Sequence, residues 1–277
     1  MGIFLLSYEL LLRIGFFLGV FAIMAGWELL APRRGLQADK AVRWTNNLAL
    51  MLLNSLLIRV MLPVTAIGVA EFAAQRGIGL FNFLPVPYAL SVLLAVLALD
   101  LAIYLQHRIF HAVPVLWRLH RMHHADLDVD VTTGTRFHPI EIVLSMLVKF
   151  AVILLVGAPA SAVLVFEVLL NATSMLNHGN VRMPAPMDRV LRWMAVTPDM
   201  HRVHHSVRSG ETNSNFGFNL PWWDRLFGTY RAQPHDGHDR MLLGIKQFRS
   251  SRELWIDRLL LQPFRRGDGG MLTILSS

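Results

Sequence analysis

Long apolar runs, not alternation, dominate the first two thirds of the chain. Four stretches carry the roughly 20 apolar residues that a helix needs to cross a bilayer's hydrocarbon: residues 6–30, 46–70, 86–106 and 140–178. The last is too long for one crossing, and its middle reads VGAPAS. Gly157 and Pro159 interrupt a helix there, so the pattern predicts a hairpin that dips in and returns. The expected fold is an all-α integral membrane protein with about four transmembrane helices, the last two a helical hairpin, under a cytoplasmic helical cap. Residues 1–106 are expected to hold helices one to three, 107–139 a first histidine-rich cytoplasmic region and 140–178 the hairpin. Residues 179–277 are expected to form the cap with a C-terminal tail, all in one functional unit.

Loop charge predicts the orientation, because Lys and Arg are retained on the cytoplasmic side. Arg33, Arg34, Lys40 and Arg43 lie between the first two spans, and Arg76 is the sole basic residue between the second and third. The N-terminus is therefore expected outside, with the 31–45 loop and everything from His107 onward, except the hairpin, in the cytoplasm. The apolar block Ile3–Leu30 is longer than a signal-peptide core and has neither a strongly basic n-region nor a small-X-small cleavage site, so it is expected to be retained. Among polar residues within the spans, Glu9 and Arg13 are four apart, the spacing of a helical ion pair, and Lys149 and Glu167 can pair across the hairpin.

Composition agrees with a membrane host: 54% of residues are hydrophobic and 16% charged, against about a quarter charged in soluble domains. The net charge of +7 comes from basic residues that flank apolar blocks, which fits anionic lipid headgroups better than nucleic acid. There is no cysteine. Disulfides, thiolate metal sites, iron-sulfur clusters and cysteine nucleophiles are excluded, so any metal must use nitrogen or oxygen ligands.

The candidate chemistry lies in histidine. Of twelve histidines, ten fall between His107 and His205, in spacings that repeat. HRIFH gives His107 and His111, HRMHH gives His120, His123 and His124, and HRVHH gives His201, His204 and His205. Offsets of three and four return to nearly one helix face, so the rings of each triplet lie within about 100° and can share a metal. TPDMHRVHH also supplies Thr197 as N-cap, Pro198 at the first helical position and Asp199 in the first turn. Eight imidazoles are too many for one ion, so two neighbouring metals are expected, and imidazole suits iron, zinc, copper and nickel alike.

His178 in LNHGN, where the hairpin returns, is a ninth candidate ligand. His138 in TRFHPIE is either a ligand or a hydrogen-bonding residue behind one, while His235 and His238 read as loop residues. Arg108, Arg121 and Arg202 follow the first histidine of each motif and are expected to face away from the metals, toward solvent first, or else toward headgroups, an electron-donor protein or carboxylates such as Asp126, Asp128 and Asp130. Those carboxylates are also candidate partners for imidazole N–H groups. In PWWDRLFGTY, the rings of Trp222, Trp223, Phe227 and Tyr230 suit the headgroup layer and are expected to form a lid or wall where lipid enters.

In these motifs the chain resembles the fatty acid hydroxylase and sterol desaturase superfamily of membrane proteins. The likeness runs from about Asp100 to Phe248 in the family's order: HRIFH, PVLWRLHRMHH, TRFHPIE, NHGN, TPDMHRVHHS, then NFGFNLPWWDRLFGTY. The resemblance implies a four-helix membrane base under a cytoplasmic cap and oxygen-dependent attack on lipid C–H bonds. It implies a centre of two Fe ions, with Zn as a substitute in a purified sample, held by His107, His111, His120, His123, His124, His201, His204 and His205, with His178 contributing. Some relatives carry two histidines four apart at that last motif; here residue 174 is Ser and residue 182 is Arg, which implies a ligand position empty or filled by water. The expected reaction is hydroxylation of a lipid or sterol-like substrate, with desaturation as the alternative. Electrons are expected from a separate cytochrome b5-like, ferredoxin or flavoprotein reductase donor. A rival class, a membrane metal transporter or sensor, expects ligands at mid-membrane depth, whereas these motifs lie at span ends and in the cap.

Overall fold

The computed structural model describes residues 8–266, so the start of the first predicted span and the end of the C-terminal tail lie outside the described residues. The principal helices are α1 Glu9–Leu30, α2 Lys40–Met61, α3 Ala66–Arg76, α4 Leu80–Phe83, α5 Tyr88–Ala112, α6 Pro114–His124, α7 Pro139–Val156, α8 Ala160–Asn177, α9 Ala185–Leu191, α10 Pro198–His204, α11 Ser209–Thr212 and α12 Trp222–Leu226. The fold is all-α and largely membrane-embedded. Among the described residues, five segments are long and apolar enough to cross a bilayer: α1, Lys40–Phe83, α5, α7 and α8. The count exceeds the expected four because each arm of the 140–178 stretch is itself an 18-residue helix, about 27 Å long at the α-helical rise.

Local chemistry sets the boundaries. The Asp39 carboxylate accepts the Val42 N–H at the start of α2, and α2 ends before Pro63, which has no N–H to give. Pro139 opens α7, Gly157 closes it with φ 67°, and α8 restarts after Pro159. The two arms do not pack along their length. They splay, and α3 and α5 each pack against both. The arms are tied within the bundle where Lys149 Nζ meets Glu167 Oε1 at 2.5 Å, and Arg13 of α1 reaches the other carboxylate oxygen at 2.5 Å. Arg13 also pairs with Glu9 at 2.8 Å, the spacing read from the sequence.

The three aspartates after α6 do not serve the histidines or the three motif arginines. Fully buried Arg43 of α2 takes two of them, through Nε to Asp126 at 2.7 Å and Nη1 to Asp130 at 2.5 Å. Asp128 instead accepts the Gln37 and Ala38 N–H groups at 2.8 Å. Burial alone would raise the Asp126 carboxyl, but Arg43 and Arg136 hold it down at about 2. Nor is Arg202 solvated: it is buried, bonding Asp199 and the Gly179 carbonyl.

Candidate metal centre

Nine buried histidines gather at one end of the bundle in two groups whose ligating nitrogens, within each group, lie within 4.8 Å of one another. His107, His111, His120, His124 and His204 form the first, and His123, His178, His201 and His205 the second. His107 and His111 stand on the last turns of α5, which continues past the apolar run without a break. Val113 and Pro114 then turn the chain into α6, so that His120 Nε2 lies 3.0 Å from His107 Nε2 and His124 Nε2 lies 3.1 Å from His111 Nε2. His178 directly follows α8, and α10 brings the last triplet, capped by Thr197 with Pro198 first, as the sequence predicts.

The triplets do not each serve one centre, contrary to the expectation that three rings share an ion. His120 and His124 join the first group while His123 joins the second; His201 and His205 join the second while His204 joins the first. Residues four apart differ by about 40° around a helix, whereas adjacent residues differ by about 100°. Each i,i+4 pair therefore stays together, and the ring between them turns toward the neighbouring group. One helix thus spans both groups, which also touch through the stacked His124 and His205 rings, 4.6 Å between centroids.

Six of the nine imidazoles have Nδ1 against an oxygen acceptor. His107, His123, His178 and His204 face the carbonyls of Phe216 (2.8 Å), Arg136 (3.2 Å), Ser174 (2.6 Å) and Ser214 (2.7 Å). His111 faces Asn213 Oδ1 at 3.3 Å and His120 faces Glu141 Oε1 at 2.6 Å. A proton on Nδ1 leaves the Nε2 lone pair free. Burial pushes His123, His124, His201 and His205 well below their ordinary range, and drives His178 to about 4 and His204 to about 3. These last-named rings are neutral at physiological pH, the form that binds metal.

Neutral imidazoles with converging lone pairs repel unless a cation lies between them. The Nε2 contacts of 3.0 to 3.2 Å match polyhedron edges of roughly 3.0–3.4 Å for nitrogen ligands about 2.1 Å from an ion. The donor set therefore fits two metal ions, five imidazoles for one and four for the other. Ser174, four residues before His178, lends its backbone carbonyl to orient that ring.

His138 joins neither group. Its Nδ1 accepts the Ile140 N–H as the cap of α7, and its Nε2 faces the Leu260 carbonyl. His235 pairs with Asp236 on the surface, while His238 is buried 3.8 Å from Asp199. Glu141 lies three residues past His138 in TRFHPIE, a spacing that gives no sign of its reaching His120.

A cavity of about 460 Å³ opens beneath the first group, between α1, α2, α5, α7 and α8. His107, His120 and Phe137 line it at one end, with Ile103, Met146 and Leu170 on its sides and Arg13, Lys149 and Glu167 further in. It exists because α7 and α8 splay. Phe137 stacks on His123 at 4.5 Å and separates that ring from the cavity. Trp222, Trp223, Phe227 and Tyr230 do not line it. Trp223 donates to Asp100 at 2.8 Å, Phe227 stacks on Tyr104 at 5.4 Å, and Arg225 lies 4.1 Å from the Trp193 and Tyr230 rings. Asp100 and Tyr104 occupy a face of α5 about 100° from the cavity-lining one.

The profile of the fatty acid hydroxylase family matches residues 92–229. The ornithine lipid hydroxylase OlsE of Rhizobium tropici is 34% identical over 53% of this chain and 44% of its own length. The alkylglycerol monooxygenase of Danio rerio is 27% identical over 66% of this chain and 40% of its own, and the Delta(7)-sterol 5(6)-desaturase of Eremothecium gossypii 31% identical over 56% and 41%. The matches thus span under half the length of these relatives. No solved structure matches the chain.

Proposed function

Because the chain belongs to the fatty acid hydroxylase family of histidine-box membrane proteins, we propose that it is a di-iron oxygenase that hydroxylates a C–H bond of a lipid or sterol-like substrate. The observation that carries this reading is the pair of adjoining imidazole groups above a cavity with apolar walls, inside a bundle of membrane-crossing length. All nine histidines are assigned as iron ligands; Zn fits the same donors but supplies no redox change. Bound iron would supply the O2 chemistry needed to attack an unactivated carbon.

The chain's own residues prepare and guard that chemistry. The carbonyls of Phe216, Arg136, Ser174 and Ser214, with Asn213 and Glu141, hold the Nδ1 protons and aim Nε2 inward. The apolar cavity walls position the substrate and exclude water. Trp222, Trp223, Phe227 and Tyr230, which do not line the cavity, would flank a lipid-entry route beside α5. The orientation assigned is N-terminus outside, histidines and C-terminus in the cytoplasm, where a separate electron donor docks. Desaturation by the same centre is the second reading, favoured by the likeness to a sterol desaturase. Hydroxylation stands first because it requires only one hydrogen abstraction.

The test is lipid mass spectrometry under 18O2 in cells carrying the intact chain or His123→Ala. The expected product gains one labelled oxygen and is lost in the variant. A product lighter by two hydrogens would shift the assignment to desaturation, and identical lipid profiles in the two cell lines would refute both.

A further inference from the structure

The cavity beneath the histidines is not uniformly apolar, and its polar groups are unevenly satisfied. Asn54 donates from Nδ2 to the Phe137 carbonyl at 2.8 Å. A carbonyl can only accept, so that bond fixes the amide with its nitrogen toward Phe137. Asn54 Oδ1 is left without a partner although the residue is only 6% exposed. Gln106, next to His107, bonds Ser145 Oγ through Nε2 at 2.6 Å and leaves Oε1 unpaired. Glu141 gives Oε1 to His120 and leaves Oε2 unpaired. All three residues line the cavity. Each is tied to the histidine end: Asn54 through Phe137, Gln106 through its neighbour in sequence and Glu141 through His120.

The deeper part is different. Arg13, Glu167 and Lys149 also line the cavity, but their charges are matched to one another and to Glu9. They demand no counter-charge from a ligand. Three unpaired acceptors beside the histidines do demand donors, because a buried acceptor left unmatched is costly.

We propose that Asn54 and Gln106, with Glu141 behind them, receive an O–H or N–H donor of the substrate. The molecule oxidised is then an amphiphile whose hydroxyl or amide group sits within a few bonds of the carbon facing the histidines, not a bare alkyl chain. This rests on the oxygenase reading above and narrows its substrate class. Asn54 and Gln106 are positioning residues: they select which carbon lies at the centre and take no part in the redox step. A site that hydrogen-bonds a polar group discriminates strongly against an analogue that lacks it.

The test reads binding by the iron-loaded full chain in detergent under nitrogen, so that no turnover intrudes. The probes share one chain length: 1-hexadecanol, hexadecanamide and hexadecyl methyl ether, each displacing a fluorescent lipid. The alcohol or the amide is expected to bind on the order of tenfold tighter than the ether, and whichever does so identifies the donor. In Asn54→Leu the preference is expected to shrink to about twofold by weakening the donor-bearing probe while the ether holds its affinity. Gln106→Leu gives up only the bond to Ser145 and should act in the same direction, which covers a failure of Asn54→Leu to fold. Equal binding of all three probes to the unmodified protein would overturn the proposal with no variant needed, as would full preference in both variants. Equal binding alongside intact 18O incorporation in cells removes the donor site alone; a clear preference without any 18O incorporation removes the oxygenase reading alone.

Discussion

The two ends of the helical bundle are joined by different physics. At the histidine end, segments distant in sequence are tied by directional bonds between buried charges and amides: Arg43 to Asp126 and Asp130, Glu28 to the N–H groups of Val131 and Asn180, Asp128 to those of Gln37 and Ala38. At the opposite end the glue is apolar packing, with small residues where the helices approach closely. Ala66 and Ala70 of α3, Ala95 of α5 and Ala158 and Ala162 around the hairpin turn share one buried cluster. Gly79 lies so near Gly157 that a Cβ on it would stand 2.2 Å from the Gly157 nitrogen. Lipid tails are as apolar as the helices, so close packing is what holds helices together there. Packing alone does not aim an imidazole. The difference shows that adhesion and aim are supplied separately, the second by buried polar bonds around the ligands.

The sharpest way to break this contrast is Arg43→Leu. It leaves the Asp126 and Asp130 carboxylates buried without their guanidinium, a loss of about 3–5 kcal/mol for a broken buried pair. The damage should spread to metal binding, because the segment from Asp126 to Arg136 also supplies the carbonyl facing His123 Nδ1. Thermal unfolding of the purified protein should show a large drop, and metal analysis a loss of bound iron. Wild-type stability with full iron content would mean that the network only decorates the centre.

Arg43 also marks where reading the chain from its letters reached its limit. Local features were legible: the triplet spacings, the capping of α10 by Thr197 and the i,i+4 pair of Glu9 and Arg13 follow from helical periodicity alone. Of the features that need a partner from elsewhere, the Lys149–Glu167 pair was legible, but others were not. Arg43 counted in the sequence only as a loop charge, although it is the residue that takes Asp126 and Asp130. The triplets looked like shared ligand sets because nothing local says that two groups lie on either side of one helix. His138 stands next to a helix-opening proline, and its capping role required knowing that Leu260 closes over its other nitrogen. The cavity depends on the splay of α7 and α8, which adjacency in sequence argues against.

At the other end, Gly79→Val should have an intermediate effect. The backbone there has φ 97°, which L side chains rarely adopt, and the new Cβ meets the Gly157 backbone, which cannot swing away as a side chain would. Overpacking of this kind costs about 1–3 kcal/mol, with strain from the positive φ in addition. The distinguishing readout is bound iron per folded molecule, which should stay near wild type while the unfolding temperature falls. A loss of iron as large as that of Arg43→Leu would show that the two ends are not separable.

The smallest effect is expected from Tyr88→Phe. The Tyr88 hydroxyl lies 2.6 Å from Ser161 Oγ and links α5 to α8 close to the hairpin turn. It is a neutral bond at a partly exposed site, and the Ser161 hydroxyl can rotate once the phenol is gone. The loss should therefore fall at the lower edge of the range for such bonds, about 0.5 kcal/mol. Unfolding in a graded series of denaturing detergent would measure it against Gly79→Val in the same buffer. If Tyr88→Phe cost as much as the glycine substitution, directional bonds would govern this end as well, and apolar packing would lose its claim to be the principal tie there.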